Sequence, residues 1–262
     1  MSGPAPDGSD VLVTVPTYNE RESLPLLVTR LLDTLPGLRI LVVDDGSPDG
    51  TGTLAETIAA VEPRVRVHHH APRAGLGAAY VDAFRRLLDG GCGFAEGVGW
   101  IVQMDADGSH APEELPRLLA AAADADVVLG SRYVPGGGTE GWAAHRRLLS
   151  RAGNAYSRRV LRLPLRDVTG GYRCFRRGAL AELGMATVAS QGYCFQVDVA
   201  FRVQRAGLRV REVPITFVER ERGESKMSRA IVVEALWRVT WWGVSSRRSR
   251  RQPARVDAVG RG

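Results

Sequence analysis

Lysine is nearly missing: of 35 basic residues in this 262-residue chain only Lys226 is lysine, and asparagine occurs twice, at Asn19 and Asn154. Such depletion reads as a coding bias, so a surviving lysine points to chemistry rather than drift. Cysteine is scarce and odd in number. Cys92, Cys174 and Cys194 show no CxxC spacing, which argues against a disulfide frame or a cysteine zinc site and for a reducing compartment. No window holds the ~20 uncharged apolar residues of a membrane span. The best stretch, 230–244, carries Glu234 and Arg238. The amino end has neither a basic n-region nor an apolar h-region, so no secretory signal is expected and the chain is placed in the cytoplasm. Neither GxGxxG after the first apolar run nor GxxxxGK[ST] is present, which removes the main support for a dinucleotide-dependent dehydrogenase or an ATPase. With 44% hydrophobic and 24% charged residues the composition is globular, neither disordered nor fibrous.

The net charge of +6 conceals a division. Residues 1–130 hold 9 Arg against 19 Asp and Glu, whereas residues 131–246 hold 20 basic and 9 acidic groups. An acidic half followed by a basic half fits a cation site first and an anion site second; drift of surface charge is the plainer alternative.

Apolar runs at Val11–Val15, Leu38–Val43, Val65–His68, Gly99–Met104 and Asp126–Leu129 alternate with helical patterns at Leu24–Leu32, Thr51–Val61, Gly75–Leu88 and Pro112–Ala122. This alternation predicts an α/β fold with a mostly parallel central sheet and helices on both faces, with ligands at the carboxyl ends of the strands. Beyond Gly130 the pattern becomes a glycine-rich loop (134–139), an Arg-rich helix (145–161), a turn leading into a strand (167–175), a helix (191–206), a strand (208–215) and an amphipathic helix (226–242). The expected organisation is a flexible stretch 1–9, one domain over 10–244 and a basic disordered tail over 245–262.

Three strand-end loops carry the chemistry. The first is Pro16-Thr17-Tyr18-Asn19-Glu20 and the second Asp44-Asp45-Gly46-Ser47-Pro48-Asp49-Gly50-Thr51. Their carboxylates can accept hydrogen bonds from ribose hydroxyls or base N–H groups. For Ser47, Asp49 and Thr51 a turn with a helix N-cap is the stronger reading. Asp44 and Asp45 are adjacent carboxylates that repel unless something uses them. The third loop, Met104-Asp105-Ala106-Asp107-Gly108-Ser109-His110, sets two carboxylates two residues apart past a buried strand, suited to Mg²⁺ or Mn²⁺ bridged to a diphosphate. A solvated acidic turn is the alternative.

Taken together, PTYNE at 16–20, DDGSPDGT at 44–51, MDADGSH at 104–110, GSRYVPGG at 130–137, DVTGGYR at 167–173 and RGESK at 222–226 resemble the family-2 glycosyltransferases of the GT-A fold, and most of all their polyprenyl-phosphate mannosyltransferase branch. The resemblance implies an inverting enzyme that moves mannose from GDP-mannose to a polyprenyl phosphate at the cytosolic face of a membrane. A glucosyltransferase using UDP-glucose is the nearest alternative, and a non-enzymatic nucleotide- or nucleic-acid-binding module a more distant one. It implies Pro16, Tyr18, Glu20, Asp45 and, with less support, Asp44 around the nucleoside. Asp105 and Asp107 would hold the metal and the donor diphosphate. Arg132, Arg147 (or its neighbour Arg146), Arg222 and Lys226 would bind the acceptor phosphate. Ser109, where some relatives carry Gln, is a doubtful ligand. The catalytic set that the resemblance implies is Asp105, Asp107, Arg132 and Arg222.

The second half agrees, since residues 143–182 hold ten Arg against Asp167 and Glu182, and Arg grips phosphate through a bidentate fork. Nucleic acid would fit that charge but leaves Asp105 and Asp107 unexplained, so no nucleic-acid partner is expected. The 226–242 helix, with Trp237, Trp241 and Trp242, fits either a membrane surface, with or without a membrane-protein partner, or packing on its own domain. Lys226 begins that helix, where with Arg222 it would clamp a phosphate. Asp198 is read as structural, and Cys174, Cys194 and His68–His70 as packing or surface residues.

Overall fold

The computed structural model describes residues 3–70, 75–90, 93–188, 192–219 and 236–245. Its main sheet takes β1 (Val11–Thr17), β2 (Arg39–Asp44), β3 (Val65–His69), β4 (Trp100–Gln103), β5 (Val127–Ser131), β7 (Arg173–Arg176) and β8 (Val210–Pro214) in the order β3-β2-β1-β4-β7-β5-β8. A second, two-stranded sheet pairs β6 (Gly138–Glu140) with β9 (Thr216–Val218). Every pairing is parallel except those of β7, which runs antiparallel to both β4 and β5. The mostly parallel sheet is as expected. The reversal of β7 and the small sheet were not foreseen.

Burial explains why the apolar runs became strands. All seven residues of β1 are buried, because helices cover the sheet on both sides and leave no polar face. One side packs α1 (Leu24–Thr34), α2 (Thr51–Val61) and α4 (Leu115–Ala121) against Val11, Val13, Val42 and Val102. The other packs α3 (Leu76–Leu88), α5 (Ala144–Leu161), α6 (Arg177–Glu182) and α7 (Gly192–Arg205) against Leu12, Leu41, Ile101 and Leu129. In α3 the buried Ala79, Tyr80, Ala83, Phe84 and Leu87 recur at three- and four-residue steps, the apolar stripe of a helix lying on a sheet.

Residues 236–245 form a further helix. Val239 is 1% exposed, Trp242 stacks on Phe201 with centroids 6.4 Å apart, and the Tyr156 and Thr240 hydroxyls meet at 2.6 Å. A Cβ on Gly243 would stand 2.6 Å from Val160 Cγ1, so glycine lets this helix lie close on α5. This part of the expected 226–242 helix packs on its own domain, while Trp237 and Trp241 remain 65% and 58% exposed. Residues 220–235, with Arg222 and Lys226, and the tail from 246 lie outside the described residues.

The chain runs outward from β1 through β2 to β3, then returns to place β4 on the other side of β1. The connections leaving β1 and β4 therefore diverge, and their carboxyl ends flank a crevice, the place where open α/β sheets bind ligands. Both the 16–20 loop and the 105–110 loop open there.

Candidate active site

One side of the crevice is built from two loops that fasten each other. Asn19 N donates to Ser47 Oγ at 3.1 Å and Glu20 N to Thr51 Oγ1 at 3.0 Å. Thr51 N and Oγ1 both donate to Asp49 Oδ1. Ser47, Asp49 and Thr51 thus hold the loop together, as the turn reading expects, although the N-cap position of α2 falls on Gly50 with φ 85° and no side chain caps it. Asp44 is 3% exposed and accepts from Thr17 Oγ1 and from Ser47 N and Oγ. Those bonds give Asp44 a part in loop architecture. Asp45 accepts Gly75 N at 3.0 Å, which ties the start of α3 to this wall. Tyr18 and Glu20 are half-buried beside the buried Pro16.

Asp105 and Asp107, both half-buried, follow β4 directly. Asp107 Oδ1 accepts Ser109 N at 3.1 Å, and Asp105 N donates to His110 Nδ1 at 3.2 Å. That second bond fixes the imidazole tautomer: Nδ1 accepts, so the proton sits on Nε2. His110 stacks on Tyr172 at 5.0 Å and meets the Phe217 ring edge-on at 5.3 Å. Burial pulls its pKa down to about 4, with Arg132 adding to the shift and Asp107 opposing it. Tyr80 Oη donates to Met104 O at 3.1 Å and lies 3.5 Å from Asp105 Oδ1. Burial, then the Asp105 charge, raises the phenol well above its ordinary value and keeps it protonated.

These residues fit a hard divalent cation. Two carboxylates two residues apart follow one strand end, and among the described residues Ser109 Oγ and Gln196 Oε1 are buried oxygen atoms without a hydrogen-bond partner. A Cβ on Gly171 would stand 3.2 Å from Asp105 Oδ2 and 3.4 Å from both Gln196 Nε2 and His110 Cε1. The loop before β7 therefore lies close over Asp105, where a side chain would be crowded.

Arg132 closes the basic side. It is 4% exposed; its Nε donates to Asp167 Oδ2 at 2.7 Å, and its Nη2 to Asp167 Oδ1 at 2.8 Å and Thr169 Oγ1 at 2.7 Å. The rings of Tyr133, Trp142 and Phe217 surround it at 5.3 to 5.6 Å. Burial works to raise the Asp167 carboxyl, but attraction to Arg132 and hydrogen bonds from Arg132 and Thr169 hold it below the ordinary aspartate value. Arg146 pairs with Glu219 at 2.5 Å and lies 4.3 Å over Trp142, while its neighbour Arg147 is exposed on α5.

The structure brings Pro16, Tyr18, Glu20, Asp44, Asp45, Asp105 and Asp107 to the carboxyl ends of β1, β2 and β4, the strands that flank the crevice. Asp198 accepts Arg202 Nε within α7, as its structural reading expects. Cys174 and Cys194 are buried, the packing role expected of them. Sequence reasoning missed His110, Gln196, Asp167 and Arg173. Asp167 was visible as a rare acid among ten arginines, and His110 stood inside a quoted string. Arg173 closed the quoted string at 167–173, but an arginine entering a strand reads as surface. It is fully buried, and its guanidinium donates to the carbonyls of Val168, Gly170 and Gln196. Burial lowers its pKa to about 10, so it stays a cation near neutral pH.

Known proteins resemble the chain at three levels. The glycosyl transferase family 2 model matches residues 12–184. An undecaprenyl-phosphate mannosyltransferase of Micrococcus luteus is 52% identical over 90% of this chain and 95% of its own. A polyprenol monophosphomannose synthase of Mycolicibacterium smegmatis is 51% identical over 91% of this chain and 89% of its own. Two solved structures share the fold at low identity. Glucosyl-3-phosphoglycerate synthase of Mycobacterium tuberculosis with phosphoglyceric acid has TM-score 0.61 and 18% identity over 90% of this chain and 79% of that one. The Pyrobaculum calidifontis mannosyltransferase PcManGT, in complex with GDP-Man and Mn²⁺, has TM-score 0.53 and 17% identity over 96% and 79%. With its carboxylate loop at the β1–β4 crevice and a family match across most of the sheet, the chain belongs to glycosyl transferase family 2.

Proposed function

We propose that this enzyme transfers mannose from GDP-mannose to a polyprenyl phosphate. The observation that carries the reading is the juxtaposition, in one crevice, of a loop pair fitted to a nucleoside with two half-buried carboxylates. The names of the two relatives that are more than half identical support the sugar and the acceptor. Asp105 and Asp107 would hold Mg²⁺ or Mn²⁺, which when bound offsets the charge of a leaving diphosphate. Pro16, Tyr18, Glu20 and Asp45 orient the nucleoside, with Asp44 shaping the loop behind them.

The acceptor phosphate is an anion near neutral pH, so no side chain has to remove a proton from it. One of its oxygens bonds to the anomeric carbon as the bond from that carbon to the diphosphate oxygen breaks, which inverts the configuration and releases GDP. Arg132 would act as a fixed positive charge in the wall, because its fork is closed on Asp167. Arg147, Arg222 and Lys226 would make the direct phosphate contacts. Among the described residues no helix is long and apolar enough to cross a membrane. The exposed Trp237 and Trp241, stacked at 6.1 Å, would rest in the headgroup layer at the cytosolic face, where a lipid acceptor is reached.

The test is a panel of radiolabelled GDP-mannose, UDP-glucose and other sugar nucleotides with a polyprenyl phosphate, in wild type, Asp105→Ala and Asp107→Ala. Label should reach lipid from GDP-mannose in wild type alone. Label from UDP-glucose only would replace the donor, and unimpaired transfer by both variants in EDTA would remove the metal from the reaction.

A further inference from the structure

The run His68–His70 was read as packing or surface residues, and two of its members do more than pack. Alternation along β3 turns Val65 and Val67 toward one side of the sheet and His68 and His70 toward the other, where α3 lies. Asp82 on α3 faces back toward them. His68 Nε2 lies 2.5 Å and His70 Nδ1 3.2 Å from the same oxygen, Asp82 Oδ2. One ligand atom from each of the three residues lies within 4.8 Å of the other two.

We propose that His68, His70 and Asp82 form a second metal site, separate from the Asp105/Asp107 loop and taking a borderline transition cation of the zinc class. Two imidazoles and one carboxylate are a usual three-protein-ligand set for that ion, leaving one position for water or another ligand. Ligand atoms around a tetrahedral zinc stand roughly 3.3 Å apart, a spacing this cluster reaches with small rotamer shifts.

The three side chains are 15%, 13% and 29% exposed, sheltered yet reachable. His68 and Arg86 both line a surface cavity of about 760 Å³ at this sheet edge. Arg86 Nε lies 3.4 Å from Asp82 Oδ2 and is 53% exposed. It competes with a cation for that oxygen and can swing into solvent. Imidazole donors separate this site from the oxygen-only ligands of Asp105 and Asp107, so the two select different ions. An ion here would bind β3 to α3, the helix that also presents Tyr80 to Asp105 and begins where Gly75 N meets Asp45.

The experiment uses the full chain, stripped of metal and carrying Asp105→Asn and Asp107→Asn to remove the first site. Co²⁺ is titrated in and its visible d–d absorption followed, then Zn²⁺ is added in competition. One equivalent should bind with the intense bands of a low-coordinate nitrogen–oxygen site and be displaced by Zn²⁺. Adding His68→Gln, His70→Gln or Asp82→Asn should weaken binding at least tenfold, whereas Arg86→Gln should tighten it several-fold. Zn²⁺ should also raise the Tm, and that rise should vanish in Asp82→Asn, which keeps the shape of the side chain if a histidine variant fails to fold. No Co²⁺ band in the parent, or an unchanged Zn²⁺-induced Tm rise in Asp82→Asn, overturns the site.

Discussion

Acidification tests the buried imidazole most directly. His110 is 1% exposed and accepts a backbone N–H at Nδ1, so its protonation requires breaking that bond and burying a charge among Tyr172, Phe217 and Arg132. Burial holds its folded pKa near 4, against 6.5 for the free side chain. Because the folded value is the lower one, the unfolded chain binds the extra proton between the two values, and stability must fall as pH falls through that window. The slope is about 1.4 kcal/mol per pH unit for one proton, so the contribution present above pH 6.5 is diminished by about 3 kcal/mol on reaching pH 4 and then levels off. Carboxylates held near 2, such as Asp126 with its Arg209 and Arg176 bonds outweighing burial, titrate below this window. Urea unfolding of wild type and His110→Asn at pH 7, 6, 5 and 4.5 isolates the effect. The asparagine oxygen can still accept from Asp105 N, and the subtraction cancels the other histidines. The difference in unfolding free energy should shrink by about 1.4 kcal/mol per unit below pH 6.5. Parallel curves for the two proteins would refute the argument.

Three further outcomes follow from the same geometry. Asp167→Asn leaves the 4%-exposed Arg132 without its counter-charge and should cost about 3–5 kcal/mol in chemical denaturation; a loss under 1 kcal/mol would mean the pair contributes little. Gly171→Ala presses a methyl within 3.2 Å of Asp105 Oδ2, so the Mn²⁺ concentration for half-maximal transfer should rise several-fold while unfolding changes little. Replacing both Trp237 and Trp241 by Ser should abolish flotation with anionic vesicles at low salt without lowering the Tm, and undiminished flotation would assign those rings another task.

The first half of the molecule was legible because its physics is local. Val11–Val15 and Leu38–Val43 are apolar on both faces, which only a doubly covered strand requires, and the carboxylates sit in the loops those strands deliver. The second half was harder because charge there does two jobs. Its arginines read as one anion-binding surface, yet several are committed internally: Arg146 to Glu219, Arg176 to Asp126, Arg177 to the carbonyls of Leu87 and Ala95, and Arg173 to three carbonyls. Counting charges cannot separate an arginine that greets a ligand from one that staples a loop. Nor could sequence pair Asp82 with His68, since Asp82 lies fourteen positions further along the chain and on a different element.

The reversed strand has a consequence for biogenesis. β4 and β5 share no hydrogen bonds; β7 lies between them and is made 42 residues after β5 ends. As synthesis proceeds from the amino end, β1 to β4 can assemble through neighbouring crossovers while β4 still shows an open edge. Such an edge is a template for wrong partners, and it stays open until Arg173–Arg176 arrives. The segment that seals it also carries Gly171 and Asp167 into place. The nascent chain therefore loses its sticky edge as the loop beside Asp105 arrives, before Gln196 and Phe217 complete the wall around it.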